Sequence, residues 1–166
     1  MRLRRRIFCI LLTLLTLLID TSFLPFLGLK MQFVPRVCLV STILIGTVLG
    51  STQGIIYGAL AGILLGIGAY QPSGMTAVIY TVCAFSAGFI SARTKPALVT
   101  VLPPALAYMI YEISMLVYYY FSTGYFPLAK FGEAGIRLVI ALLLIQLLYI
   151  PSIRILKPSS IGRARR

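Results

Sequence analysis

The sequence predicts an all-α integral membrane fold of six transmembrane helices, and three observations carry that prediction. Apolar residues make up 60% of the chain and charged residues only 11%, against roughly 25% charged in a soluble domain, and the mean hydropathy is +1.00. The apolar residues fall in long blocks, so the 166 residues accommodate about six stretches of the roughly 20 residues that cross a hydrocarbon core. That leaves a single transmembrane domain over 1–166 and no room for a soluble one. The 15 basic residues gather at block ends, where they orient a membrane protein. They do not line one amphipathic face, so the net charge of +12 points to lipid rather than to nucleic acid.

The first span is expected over 7–29. Arg2, Arg4, Arg5 and Arg6 precede its apolar start like the head of a signal peptide, but no small-residue cleavage site follows. Pro25 should bend or end its last turns. The block from Phe33 to Ile67 would measure roughly 50 Å as one straight helix, too long for a core of about 30 Å. The polar run Gly50–Gly54 therefore divides it into spans over 33–49 and 54–69, full or re-entrant, since each is near the lower length limit.

Gln71–Gly74 reads as a turn, and the fourth span follows over 75–92. After Arg93–Pro96 the fifth span covers 97–121. It can begin as late as Pro103, because Pro103 and Pro104 suit a first turn better than a helix interior. Ser122–Glu133 is the longest expected loop, and the sixth span covers 134–153 before a basic tail. With the N-terminus inside, the cytoplasmic face receives Arg2, Arg4, Arg5, Arg6, Arg93, Lys95, Arg154, Lys157, Arg163, Arg165 and Arg166. The other face receives Lys30, Arg36, Lys130 and Arg137. This asymmetry obeys the positive-inside rule and puts both termini in the cytoplasm.

Chemical groups are scarce. Cys9, Cys38 and Cys83 lie in apolar stretches without metal-ligand spacing, there is no histidine, and there are three acids. The residues for hydrolytic or metal-assisted catalysis are missing, so neither enzyme activity, metal nor cofactor is expected. The cysteines read as small core residues.

The sharpest pattern is a glycine series spaced by four: Gly46, Gly50, Gly54, Gly58, Gly62 and Gly66. On the third span Gly54, Gly58, Gly62 and Gly66 form one stripe, and Ala84, Gly88 and Ala92 form a second on the fourth. Small-residue stripes let helix backbones approach closely in lipid, either within the bundle or against another protein. Asp20 and Glu112 are acids within spans, where an ionised group is expensive. Each lies about 14 Å from the outer end of its span. The readings are a shared proton or a salt bridge from one of them to Arg137, a ligand or ion site, or a contact with a partner's polar residue. Glu133 and Arg137 have the favourable i, i+4 order and should pin the start of the last span. Tyr118, Tyr119, Tyr120, Phe121, Tyr125 and Phe126 read as an interfacial aromatic belt rather than a stacking site. The basic tail also suits anionic lipid.

Pro35 ahead of a short span, the segment GIIYGALAGILLGIG, and the turn and span QPSGMTAVIYTVCAFSAGFI resemble the rod shape-determining protein MreD family. Length, span number and the basic first residues agree. Two positions depart: many members carry an acid where this chain has Arg36, and another at the close of the third span, where it has Gly66–Gly68. The resemblance implies a non-catalytic membrane subunit of the bacterial cell-elongation complex, supporting peptidoglycan synthesis with MreC, MreB, RodA and a penicillin-binding protein. It also implies a fold similar to the substrate-binding S component of energy-coupling factor vitamin transporters, which makes such a subunit the alternative. Against the alternative, the first span has no alanine for the docking motif common in S components, and the chain has no tryptophan.

Overall fold

The computed structural model describes residues 2–23, 35–68, 73–95, 98–124 and 128–156. Among them there is no strand, and the chain forms six α-helices. They are α1 (Arg2–Leu18), continued by a π-helical turn (Ile19–Phe23), α2 (Val37–Leu49), α3 (Ser51–Gly68), α4 (Ser73–Ser91), α5 (Leu102–Thr123) and α6 (Leu128–Leu156).

α2 is the centre of the bundle. Its sequence, VCLVSTILIGTVL, is apolar on every side, and every residue from Cys38 to Val48 is buried. A helix without a polar face has to be enclosed all round, and here α1, α3, α4, α5 and α6 all pack against it. Cys9, Leu39, Ile43, Leu44, Tyr57, Ala61, Leu65, Tyr80, Cys83, Tyr108, Ala141 and Ile145 belong to the same core. All three cysteines are buried and unbridged.

Turn chemistry sets the register of the central helices. α2 ends and α3 begins at Gly50 alone, whose φ of 98° lies in the region that side chains avoid. The break expected over Gly50–Gly54 is therefore one residue long. Ser51 already starts α3, because a single glycine at positive φ reverses the chain and Gly54 is accommodated inside the helix. α5 closes on Gly124 at φ 72°, whose N–H donates to the Tyr120 carbonyl at 2.9 Å, a left-handed cap. Its start at Leu102 puts Pro103 and Pro104 in the first turn, the later of the two starts the prolines allow.

Two other boundaries move. α6 begins at Leu128, inside the expected loop Ser122–Glu133, because its first residues contain no proline and Gly132 and Gly135 face open space, which a helix tolerates at small cost. α4 closes at Ser91, so Ala92 lies beyond the helix and is exposed. The small stripe of α4 is therefore Ala84 and Gly88. The expected end of the first span with Pro25, the turn at Gln71 and Pro72, Pro96, Tyr125, Phe126 and the tail beyond residue 156 lie outside the described residues.

By length and composition two segments are able to cross a membrane, Gly74–Ser91 and Lys130–Ile153. Val37–Leu49 and Ser51–Ile67 are apolar but shorter. Only 17% of Lys130–Ile153 is buried within the bundle, so an apolar helix leaves most of its surface uncovered.

Candidate functional site

The glycine stripe is a backbone contact between α3 and α4. A Cβ on Gly58 would stand 2.8 Å from the Tyr80 carbonyl oxygen, and one on Gly62 would stand 2.5 Å from the Ala77 Cα. On Gly54 it would stand 2.5 Å from the Ala84 carbonyl oxygen, which a Cβ on Gly46 of α2 would also strike. Gly46 and Gly54 thus flank one carbonyl from both sides of the Gly50 turn. Gly88 completes the arrangement from α4, lying against the backbone of Gly50 and Ser51. Gly66 is buried near the end of α3. Hydroxyls fasten the same contacts: Thr76 donates to the Gly62 carbonyl at 3.0 Å and Ser91 to the Thr47 carbonyl at 3.0 Å. The stripe is consumed inside the bundle.

The intrahelical acids come to separate partners. Asp20, 1% exposed, accepts from the N–H of Val37 at 2.9 Å through one oxygen and from the N–H of Cys38 at 2.8 Å through the other. These are orphan amides at the first turn of α2. The residue in the N-cap position is Arg36, which makes no side-chain cap because a guanidinium has no acceptor. The π turn of α1 therefore supplies the cap from 17 residues away in sequence, with a carboxylate at the positive end of the α2 dipole. Next to it, the Thr16 and Ser41 hydroxyls hydrogen-bond at 3.0 Å between α1 and α2.

Glu112 pairs with Arg137. The guanidinium donates from Nε to Oε1 at 2.9 Å and from Nη2 to Oε2 at 2.7 Å, the bidentate geometry that gives the strongest carboxylate contacts. It ties α5 to α6, and Glu133 adds a weaker contact to Arg137 at 3.9 Å. Asp20 and Glu112 make their hydrogen bonds to different groups. Of the readings open from the sequence, the salt bridge to Arg137 is the one that the geometry matches.

Tyrosines that the sequence reading passed over join these acids into one polar region. Tyr80 of α4 and Tyr108 of α5 pack on the ring of Tyr111, with centroids 6.2 Å and 5.7 Å away. Arg36, ahead of α2, lies within electrostatic range of Tyr111, Tyr80 and Asp20, and Tyr108 within that of Glu112, Arg137 and Asp20. The buried hydroxyls of Tyr80 and Tyr108 have no hydrogen-bond partner, an arrangement that costs about 1–3 kcal/mol for each group. A signal was present: Tyr108, Tyr111 and Glu112 are spaced i, i+3, i+4 and so share one helix face, and a hydroxyl inside an apolar span requires a partner.

On the last turns of α5, before the connection to α6, Tyr118, Tyr120 and Phe121 are exposed, as a belt would be. Lys130 sits 3.4 Å from the centre of the Tyr119 ring, a cation–π contact linking the end of α5 to the start of α6. Compared with known proteins, the chain matches no family model, no curated protein and no solved structure.

Proposed function

We propose that this chain is a non-catalytic, multi-pass subunit of the bacterial cytoplasmic membrane, with six transmembrane helices and both termini inside, that supports peptidoglycan synthesis and cell shape within the elongation complex. The observation that carries the reading is the α3–α4 contact. The residues that resemble the MreD family, GIIYGALAGILLGIG and the span after QPSG, form this pair, and the glycines of the resemblance are the residues that let the two backbones touch.

The surface supports a lipid environment. Ile7, Ile10, Leu11, Leu14, Leu15 and Leu18 of α1 are exposed together, as are Ile136, Val139, Leu143, Leu147 and Ile150 along α6. Contiguous apolar faces of this kind mark membrane or protein contact. Asp20 and Glu112 are both committed to contacts between helices, which favours a rigid scaffold over a transport pathway. Such a subunit acts by holding MreC, RodA and a penicillin-binding protein in register within the bilayer, above MreB.

Depletion from a rod-shaped host is expected to give rounded, widened cells, and the purified protein is expected to bring down MreC. Recovery of a transporter's coupling subunit together with tight vitamin binding, and no shape defect, would replace this reading with the S component.

A further inference from the structure

The exposed positions of α6 follow a regular pattern. Gly132, Ile136, Val139, Leu143, Gln146 and Ile150 are all exposed, and the steps between them alternate between four residues and three. That is the spacing of the a and d positions of a heptad, which line one seam of a helix. The residues that α6 buries in the bundle, Ala134, Ala141, Ile145 and Ser152, lie on the far side of the helix at 3.6 residues per turn. A Cβ on Gly132 would meet nothing within 4 Å, so the seam is open at its first turn as well as along its length.

Gln146 is the polar member of this seam. It lies within Lys130–Ile153, a segment long and apolar enough to cross a membrane, roughly 10 Å inside the end of that segment at helical rise. Its amide forms no hydrogen bond among the described residues, and a polar group facing hydrocarbon without a partner is unfavourable. Leucine in its place would complete the apolar face without that cost, so contact with lipid alone does not account for the amide. A group that satisfies it has to lie across the seam at the same depth. The glutamine side chain carries both a carbonyl acceptor and an NH2 donor, so two of them satisfy each other, and a second copy of the chain supplies the second. Copies inserted in one orientation are related by a two-fold axis along the membrane normal, which sets α6 parallel to α6 with every seam residue opposite its own counterpart. The seam contains no charged residue, so this pairing brings no like charges together.

We propose that the exposed seam of α6 is the docking surface for a second copy of this chain, with the two helices parallel and the two Gln146 amides hydrogen-bonded to each other across the axis. The apolar seam residues supply the packing, and the single polar pair fixes register and limits the contact to matching helices. The proposal rests on the membrane placement given above and is independent of the elongation complex.

The experiment uses the full chain in the membranes of the cells that express it, with one cysteine introduced at a time and mild oxidation by copper phenanthroline. The three native cysteines are buried, so the unsubstituted chain sets the background. Val139→Cys, Leu143→Cys and Ile150→Cys should give disulfide-linked dimers, because facing seam positions come within the roughly 6 Å between Cα atoms that a disulfide spans. Leu15→Cys on α1 and Ile113→Cys on α5, exposed to a similar degree, should stay at background. Gln146→Leu should weaken association roughly tenfold, the loss of an interhelical hydrogen bond in lipid, read by energy transfer between tagged copies diluted in lipid vesicles. The unfolding midpoint of the monomer in detergent should not fall, since the amide holds nothing within the bundle. The proposal is overturned by seam positions that give no dimer in the membrane fraction, by equal yields at seam and control positions, by cross-links to a different protein instead of to the chain itself, or by a Gln146→Leu chain that associates as tightly as the unsubstituted one. Recovery of the chain in the soluble fraction would overturn the membrane placement as well.

Discussion

Asp20 and Glu112 show how the same residue type does two different jobs in one interior. Asp20 is a capping group delivered in trans, and an amide oxygen can still accept from one of the α2 amides. Asp20→Asn should therefore retain most of the folded yield, whereas Asp20→Leu leaves two buried N–H groups unmet and should lose about 2–4 kcal/mol; comparison of thermal unfolding midpoints in detergent checks the order. Glu112 and Arg137 depend on each other. Breaking such a pair by removing one partner strands a charge and costs about 3 kcal/mol, while an apolar replacement of both is close to neutral. Glu112→Leu and Arg137→Leu should each lower the unfolding midpoint clearly, and the double variant should recover most of the loss. A double variant worse than either single one would mean that the two residues act separately. The acids were legible as residues that needed partners, but Asp20's partner is a pair of backbone amides, which have no side-chain signature in a sequence.

At the level of elements, the α3–α4 interface rests on absent side chains. At Gly62 even a methyl group would stand 2.5 Å from a backbone Cα, and no flexible side chain is there to yield. Gly62→Ala should therefore destabilise the pair by about 1–3 kcal/mol, and Gly58→Leu or Gly62→Leu should abolish the folded yield. Ile63→Leu, on the exposed face of the same helix at 47% exposure, should be silent when the folded yield of all these variants is read by size-exclusion chromatography in detergent. The period-four glycines were visible in the chain and pointed to close packing. That Gly46 and Gly54 lie on either side of one α4 carbonyl depends on the turn at Gly50, which places residues of two helices side by side. Element ends were less legible: α6 starts six residues earlier than the span expected over 134–153, because no proline interrupts its first residues and a helix tolerates Gly132 and Gly135 at small cost.

For the molecule as a whole, the distribution of positive charge makes a topology prediction. All three native cysteines are buried, so membrane-impermeant thiol labelling in intact cells should report only cysteines introduced for the purpose. Ala92→Cys or Thr94→Cys, beside the Arg93–Pro96 connection, should be protected until the membrane is opened, and Ser122→Cys, exposed at the end of α5, should label from outside. The reverse pattern would invert the orientation and contradict the positive-inside count.

The sequence by itself determined the all-helical class, the number of helices, the glycines as positions of close packing and the acids as groups that need a partner. Those properties follow from local composition and from periodicity, which act over a few turns of chain. Only the tertiary structure decided which groups meet: Asp20 with the amides of a helix 17 residues on, Glu112 with Arg137 across 25 residues, and Tyr80 of α4 with Tyr111 of α5. Partner choice in a packed interior depends on the rotation and depth of whole helices about their axes, and these are set by close backbone contacts such as Gly46, Gly54 and Gly88 against their neighbours rather than by any residue's own preference.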